Sequence, residues 1–346
     1  MKSTRTRTFV VMAMTMALTA SSIAQVRGPL TPEASRRGTE QTFLTFPEWF
    51  LVFSPAEYAA LVKTEAPDHF PFLGHIRQFW SSYGSVANAA NDGHPFNFGY
   101  HAMIVVIGTS TTVEYLIKSA YETVIGRVAR ATHFEPVDED RFAARFAQDY
   151  VDFIRVRPWY EYNFDAELTR LWAETPLTGR GMIRRWERKY ILTTEFIVKA
   201  IYGRLIGGGT HASYEAAVSE TFVVTRSLPD LTDPRLKDVR LVDTMADGSI
   251  LSSFPRYQAF TQAVTALADK DIAFEEIAGN RDVILVTTIR SETATTQALG
   301  TLLFSQPIIT RPGRVRLALV VPVAQLSAVV KQLTTERSEV EHIYDY

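Results

Sequence analysis

Cysteine is missing from all 346 residues, so disulfides, thiolate metal centres, thiol nucleophiles and a lipid-bearing cysteine are excluded together. An excess of either charge is missing as well. There are 36 basic and 38 acidic side chains, a net charge of -2, which gives no basic field to attract nucleic acid. Beyond the N-terminus no stretch reaches about 18 uninterrupted apolar residues, the length a further membrane-spanning helix needs. The spacings HExxH, H-x-H and GxSxG are absent, as is a phosphate loop with its lysine, so no cofactor or metal is implied. Tryptophan is absent after the triplet Gly207-Gly208-Gly209, although there are five before it.

What is present is an ordinary globular balance, 46% apolar and 21% charged, in a chain long enough for two domains. Lys2, Arg5 and Arg7 precede the apolar run Phe9 to Ala20, and Ser22-Ile23-Ala24 puts small residues where a signal peptidase reads. Residues 1–24 therefore read as a secretory signal, which expects an exported, periplasmic or secreted protein. An uncleaved inner-membrane anchor is the alternative. Residues 25–42 read as a disordered polar leader.

Residues 43–206 read as an all-α, aromatic-rich domain. Pro47 is placed to open one helix and Ser54-Pro55-Ala56-Glu57 to start another. Gly99 to Val128 reads as a central post, with Ala102 to Ile107 buried on every side and Glu114, Lys118 and Glu122 forming a solvated ladder. Asp138, Glu139 and Asp140 suit a helix N-terminus, and Pro158 a helix stop. A long helix from Met182 is expected to end at the glycine triplet, with a linker over 207–220. Residues 221–346 read as strand, helix, hairpin, hairpin, helix and strand, with Gly279-Asn280 and Pro312-Gly313 as turns. The expected class is thus α+β: a helical domain followed by a ferredoxin-like domain with an extra hairpin and no internal repeat.

Chemistry is sparse. His69, His75, His94 and His101 cluster in sequence, and His94 or His101 with Glu48, Glu114 or Glu161 is the one place for a hydrolase or metal-dependent site. Gly108, Thr109 and Ser110 follow an apolar run, where a strand-loop-helix would present free amides to an anion. A continuous helix whose hydroxyls bond back to carbonyls or to a neighbouring helix is the preferred reading there. Trp159, Tyr160, Glu161 and Tyr162 join aromatic faces to a carboxylate, which suits a ligand platform or a lid on the core. Arg184, Arg185, Arg188 and Lys189 crowd the start of a helix, against its dipole, and call for a partner: Glu114 and Glu122, or anionic lipid.

The blocks PEWFLVFSPAEYA, GYHAMIVVIGTSTTVEY, PWYEYNF, IRRWERK and EHIYDY resemble those of a family of uncharacterised bacterial exported proteins. That resemblance implies an envelope location and carries no activity. The function expected from these features is non-catalytic binding of a small molecule or partner between the two halves. A periplasmic enzyme and a membrane-apposed structural protein are the alternatives.

Overall fold

A computed structural model describes residues 28–213, 220–227, 231–293 and 300–346, with backbone only over 206–213. The signal segment lies outside the described residues. The leader is not disordered from Gly28 onward. Thr31 is fully buried, the Leu30 and Thr31 amides donate to the Glu276 carboxylate at 3.0 and 2.7 Å, and the Arg37 amide donates to the Ala278 carbonyl. Polar composition did not prevent ordering, because the leader's amides find a buried acceptor.

Helix α1 (Gln41–Leu61) is the post of the molecule. It runs unbroken through Pro47 and Pro55, where two helices were expected. Phe43, Leu44, Phe46, Trp49, Phe50 and Phe53 are all buried, and a helix apolar all round belongs inside. Its first turn is stitched to a sheet: the Thr42 hydroxyl donates to the Tyr344 carbonyl and accepts from the Leu285 amide, both at 2.9 Å. Helices α2 (Phe72–Asn91), α3 (Phe98–Tyr121) and α5 (Asp138–Ile154) surround it. A π-turn (Glu122–Gly126) and α4 (Arg127–Ala131) prolong α3, while α6 (Phe164–Glu174) lies on α7 (Met182–Ser213). The glycine triplet does not end α7, which continues through it to Ser213. Part of the expected linker is therefore helical, and 214–219 lie outside the described residues.

The class is α+β, with a helical N-terminal part and two four-stranded antiparallel sheets after it. The first sheet holds β1 (Glu220–Thr225), β2 (Arg240–Thr244), β3 (Ile250–Pro255) and β4 (Phe274–Ile277), in the order β2-β3-β1-β4. The second holds β5 (Val283–Ser291), β6 (Thr301–Pro307), β7 (Arg314–Pro322) and β8 (Glu339–Ile343), in the order β6-β7-β5-β8. Helix α8 (Gln258–Asp269) joins β3 to β4, and α9 (Leu326–Thr335) joins β7 to β8. Because β1 is antiparallel to both β3 and β4, and β5 to both β7 and β8, each helix links two parallel strands across an intervening one. The split β-α-β arrangement thus occurs twice, as an internal duplication of one strand-strand-strand-helix-strand unit. No repeat was expected, and Gly279-Asn280 connects the two sheets instead of turning a hairpin.

The second sheet is covered on both faces. Ile284, Val286, Leu317 and Leu319 join α8 and α9 in one core, while Leu285, Ala318 and Tyr344 join Phe46, Phe50 and Phe79 in another. The two halves therefore share apolar packing, and the groove expected between them is filled by Phe46, Phe304 and Tyr344.

Candidate functional site

The helix pair α3 and α7 is built with its charges inside. Lys118 pairs with Glu114 and Glu195, each at 2.9 Å, and Lys199 with Glu195 at 2.9 Å and Glu114 at 3.4 Å. Further along, Arg188 forks onto both oxygens of Glu122 at 3.0 and 2.8 Å and also reaches Glu187. Ascending numbers on α3 meet descending numbers on α7, so the two run antiparallel along this seam. Burial raises the Glu122 carboxyl, opposed by the Arg188 guanidinium. Glu195 is instead held far below the carboxylate range, its desolvation outweighed by Lys118 and Lys199. The π-turn and Gly126 make room here, since a Cβ on Gly126 would stand 2.4 Å from the Glu122 carboxylate.

The outside of the same pair is apolar. Val105, Val106, Val113, Leu116, Ile117, Val124 and Ile125 on one helix, and Ile183, Trp186, Ile197, Val198 and Ile201 on the other, are all exposed, Ile117 by 61%. No exposed residue from Gly99 to Gly126 or from Met182 to Gly203 carries a charge; Arg127 and Arg204 are the first that do. The α3 stretch spans roughly 40 Å and the α7 stretch roughly 30 Å at 1.5 Å per residue. A hollow of about 270 Å³ between Val124, Val128 and Ile183 opens in this surface. The expected post is thus inverted: its Glu-Lys ladder faces in and its apolar stripe faces out.

The basic cluster has protein partners. Arg184 binds Asp140 at 2.8 Å, Arg185 binds Asp138 at 2.9 Å and Glu139 at 3.2 Å, and Lys189 donates to the Thr175 carbonyl at 3.0 Å. Arg184, Arg188 and Lys189 are buried, so they offer lipid no basic face. The acidic start of α5 offsets the cations that oppose the α7 dipole. Of the two acids expected there, Glu122 meets Arg188, and Glu114 goes to the lysines instead.

The four clustered histidines stand in separate surroundings. His69 is at the surface beside Glu65, His94 is half-buried, and His101 is buried against Phe96 with its Nδ1 2.9 Å from the Tyr83 hydroxyl. His75 lies 2.9 Å from the Ser54 hydroxyl and 3.5 Å from Glu57, in the order of a hydrolytic triad. All three are sealed, with Ser54 only 1% exposed, and burial with the nearby Arg316 holds His75 down to about 3. A serine that no substrate reaches is a packing group. Glu48 accepts a 2.5 Å bond from the Tyr100 hydroxyl, and burial raises its carboxyl. No group of three metal-ligating His or acidic side chains occurs among the described residues.

The anion loop is not formed. Gly108, Thr109 and Ser110 lie inside α3, where their amides are spent on the helix. The Thr112 hydroxyl donates to the Gly108 carbonyl at 2.7 Å and accepts from the Trp80 indole at 2.9 Å. Gly108 instead allows close approach, as a Cβ there would stand 2.3 Å from the Phe79 ring.

The aromatic loop is a lid on the core, the plainer of the two readings. Tyr162 packs inward on Phe146, Tyr150 and Phe153, closing the core under α5 and α6. Tyr160, Glu161 and Tyr162 also line a cleft of about 420 Å³ with Asp165, Lys199 and Arg204. His94 and His101 are not among its lining residues. Compared with family models, with curated proteins and with solved structures, the chain matches none.

Proposed function

We propose that this is an exported envelope protein that works without catalysis, by docking the outer face of α3 and α7 on a lipid surface. One observation carries the reading: from Gly99 to Gly126 and from Met182 to Gly203 the two helices expose no charged residue and leave an uncharged apolar band outside. Contiguous exposed apolar surface of this extent marks a partner or a membrane. Lipid is favoured because the band runs unbroken along both helices, as an interfacial helix needs, and because its first exposed charges, Arg127 and Arg204, stand at its ends within reach of headgroups. The secretory pattern of residues 1–24 supports delivery to that membrane. No described helix is long and apolar enough to cross a bilayer, so the contact is a face laid on the surface.

The test is flotation of the full chain with neutral vesicles. The chain is expected to rise with them, and the pair Ile117→Lys with Val198→Lys is expected to stay at the bottom with an unchanged circular dichroism spectrum. Equal flotation of the two proteins would assign membrane binding to the N-terminal segment and remove the docking face.

A further inference from the structure

We infer that the cleft beside the Trp159–Glu161 turn seats a zwitterionic phosphoethanolamine headgroup, with the lipid's chains along the apolar band; this rests on the docking reading above. The cleft holds both signs of charge at its mouth. Arg204 and Asp165 pair with each other across it and stay 66% and 58% exposed, and Glu161 is exposed beside them. Lys199 lies at the back, already engaged by Glu195 and set 4.9 Å from the centre of the Tyr150 ring. A simple anion that drew Arg204 away would leave Asp165 without its cation, and a simple cation would do the reverse. A phosphate and an amine on one short linker replace both halves of the pair at once.

The amine is a primary one on the same grounds. Asp165 and Glu161 are acceptors, and an ammonium brings three N–H donors where a trimethylated nitrogen brings none. A trimethylated amine instead asks for a cage of several aromatic faces; of the three rings along the cleft, Tyr162 and Phe164 pack against each other and the core, which leaves Tyr160 alone. The site is also continuous with the band. Trp159 stacks on Tyr202 with ring centres 5.5 Å apart, and Ile201 and Leu205 emerge next to the α7 residues that line the cleft. Gly203 lets the loop come this close, since a Cβ there would lie 3.3 Å from the Tyr160 carbonyl oxygen.

The experiment has an arm in water and an arm on vesicles, both with the full chain. In water, calorimetric titration with glycerophosphoethanolamine is set against glycerophosphocholine, glycerol phosphate and ethanolamine. The first is expected to bind about tenfold tighter than each of the others, about 1.4 kcal/mol, and Arg204→Gln or Asp165→Asn to lose about tenfold. On vesicles, phosphatidylethanolamine diluted into phosphatidylcholine leaves net charge unchanged, and is expected to raise binding several-fold for the native chain only. Equal binding of the four solutes, or indifference to both substitutions, overturns the proposal. Vesicle binding without headgroup preference overturns the cleft assignment and leaves docking standing. Solute binding without vesicle binding overturns the lipid source and the docking reading together.

Discussion

Helices α8 and α9 and the α3/α7 pair solve burial in opposite ways. On α8 and α9 the rule is the familiar one: Phe260, Val264, Leu267, Val329 and Val330 are buried, and the charged Asp269 and Lys331 face water. Along α3 and α7 the buried positions include Glu122, Arg184, Glu187, Arg188 and Lys189, and the exposed ones Ile117, Val124, Val198 and Leu205. The first arrangement is stabilised by removing apolar area from water. The second removes charges from water, a cost of several kcal/mol per ion that only close, hydrogen-bonded pairing offsets. On the docking proposal, the apolar side chains left outside by this arrangement meet surroundings less polar than water.

The comparison can be broken most sharply at Arg188. Arg188→Ala leaves Glu122 buried without its cation and Glu187 with Arg184 alone, and about 3–5 kcal/mol is expected to go from the stability measured by urea unfolding. Phe260→Ala in the double-sheet core is the matched control, with about 3–5 kcal/mol lost to a cavity. A loss under about 1 kcal/mol at Arg188 would mean that the seam is wet, and the contrast between the two regions would go.

The next effect lies at the joint between them. His75 contacts Ser54 of α1, and His342 of β8 stacks on Trp49 at 3.5 Å. Burial and neighbouring arginines hold His75 down to about 3 and His342 well below the usual imidazole range. Both are neutral in the fold, whereas in the unfolded chain they take up protons near pH 6.5. The unfolded state therefore binds more protons as the pH falls through 6.5, and the loss of stability steepens towards about 1.4 kcal/mol per pH unit for each histidine. Stabilities from urea unfolding at pH 6.5 and 5.5 are expected to differ by about 2 kcal/mol for the pair, and His342→Gln to remove about half of that difference. A flat profile would place both rings in contact with solvent.

The smallest effect on stability sharpens the contrast from the outside. Ile117→Ser with Val198→Ser alters exposed side chains only, so unfolding is expected to shift by no more than about 0.5 kcal/mol. Chromatographic recovery without detergent is expected to improve in the same variant. A loss above about 2 kcal/mol would mean that these residues are buried in solution.

Much of the architecture could be read from spacing. The α+β class, the helices from α5 onward, the strands from β4 onward and the aromatic loop all follow from local periodicity and turn chemistry. The duplication escaped because β1, ETFVVT, and β3, ILSSFP, show no clean apolar-polar alternation, and without them the first unit has no sheet. A comparison of the two strand-helix-strand segments, each β strand followed by an amphipathic helix and a returning strand, was the available signal. The cleft was half visible: Tyr160 to Tyr162 are adjacent in sequence, but Lys199 and Arg204 reach them only through the packing of α7.

The chain's own order of residues determined that α3 and α7 are long helices with one apolar and one charged stripe, since 3.6 residues per turn make that stripe a local property. Which stripe faces inward is not local. It depends on whether a second charged helix stands opposite to pair with the first, and only the antiparallel meeting of Glu114, Lys118 and Glu122 with Arg188, Glu195 and Lys199 decided it. Likewise the two helix starts at Pro47 and Ser54 are local readings, but the single α1 and its place as the post, wedged between helices and the second sheet, came from the long-range contacts of Thr42 and Phe46 with Leu285, Phe304 and Tyr344.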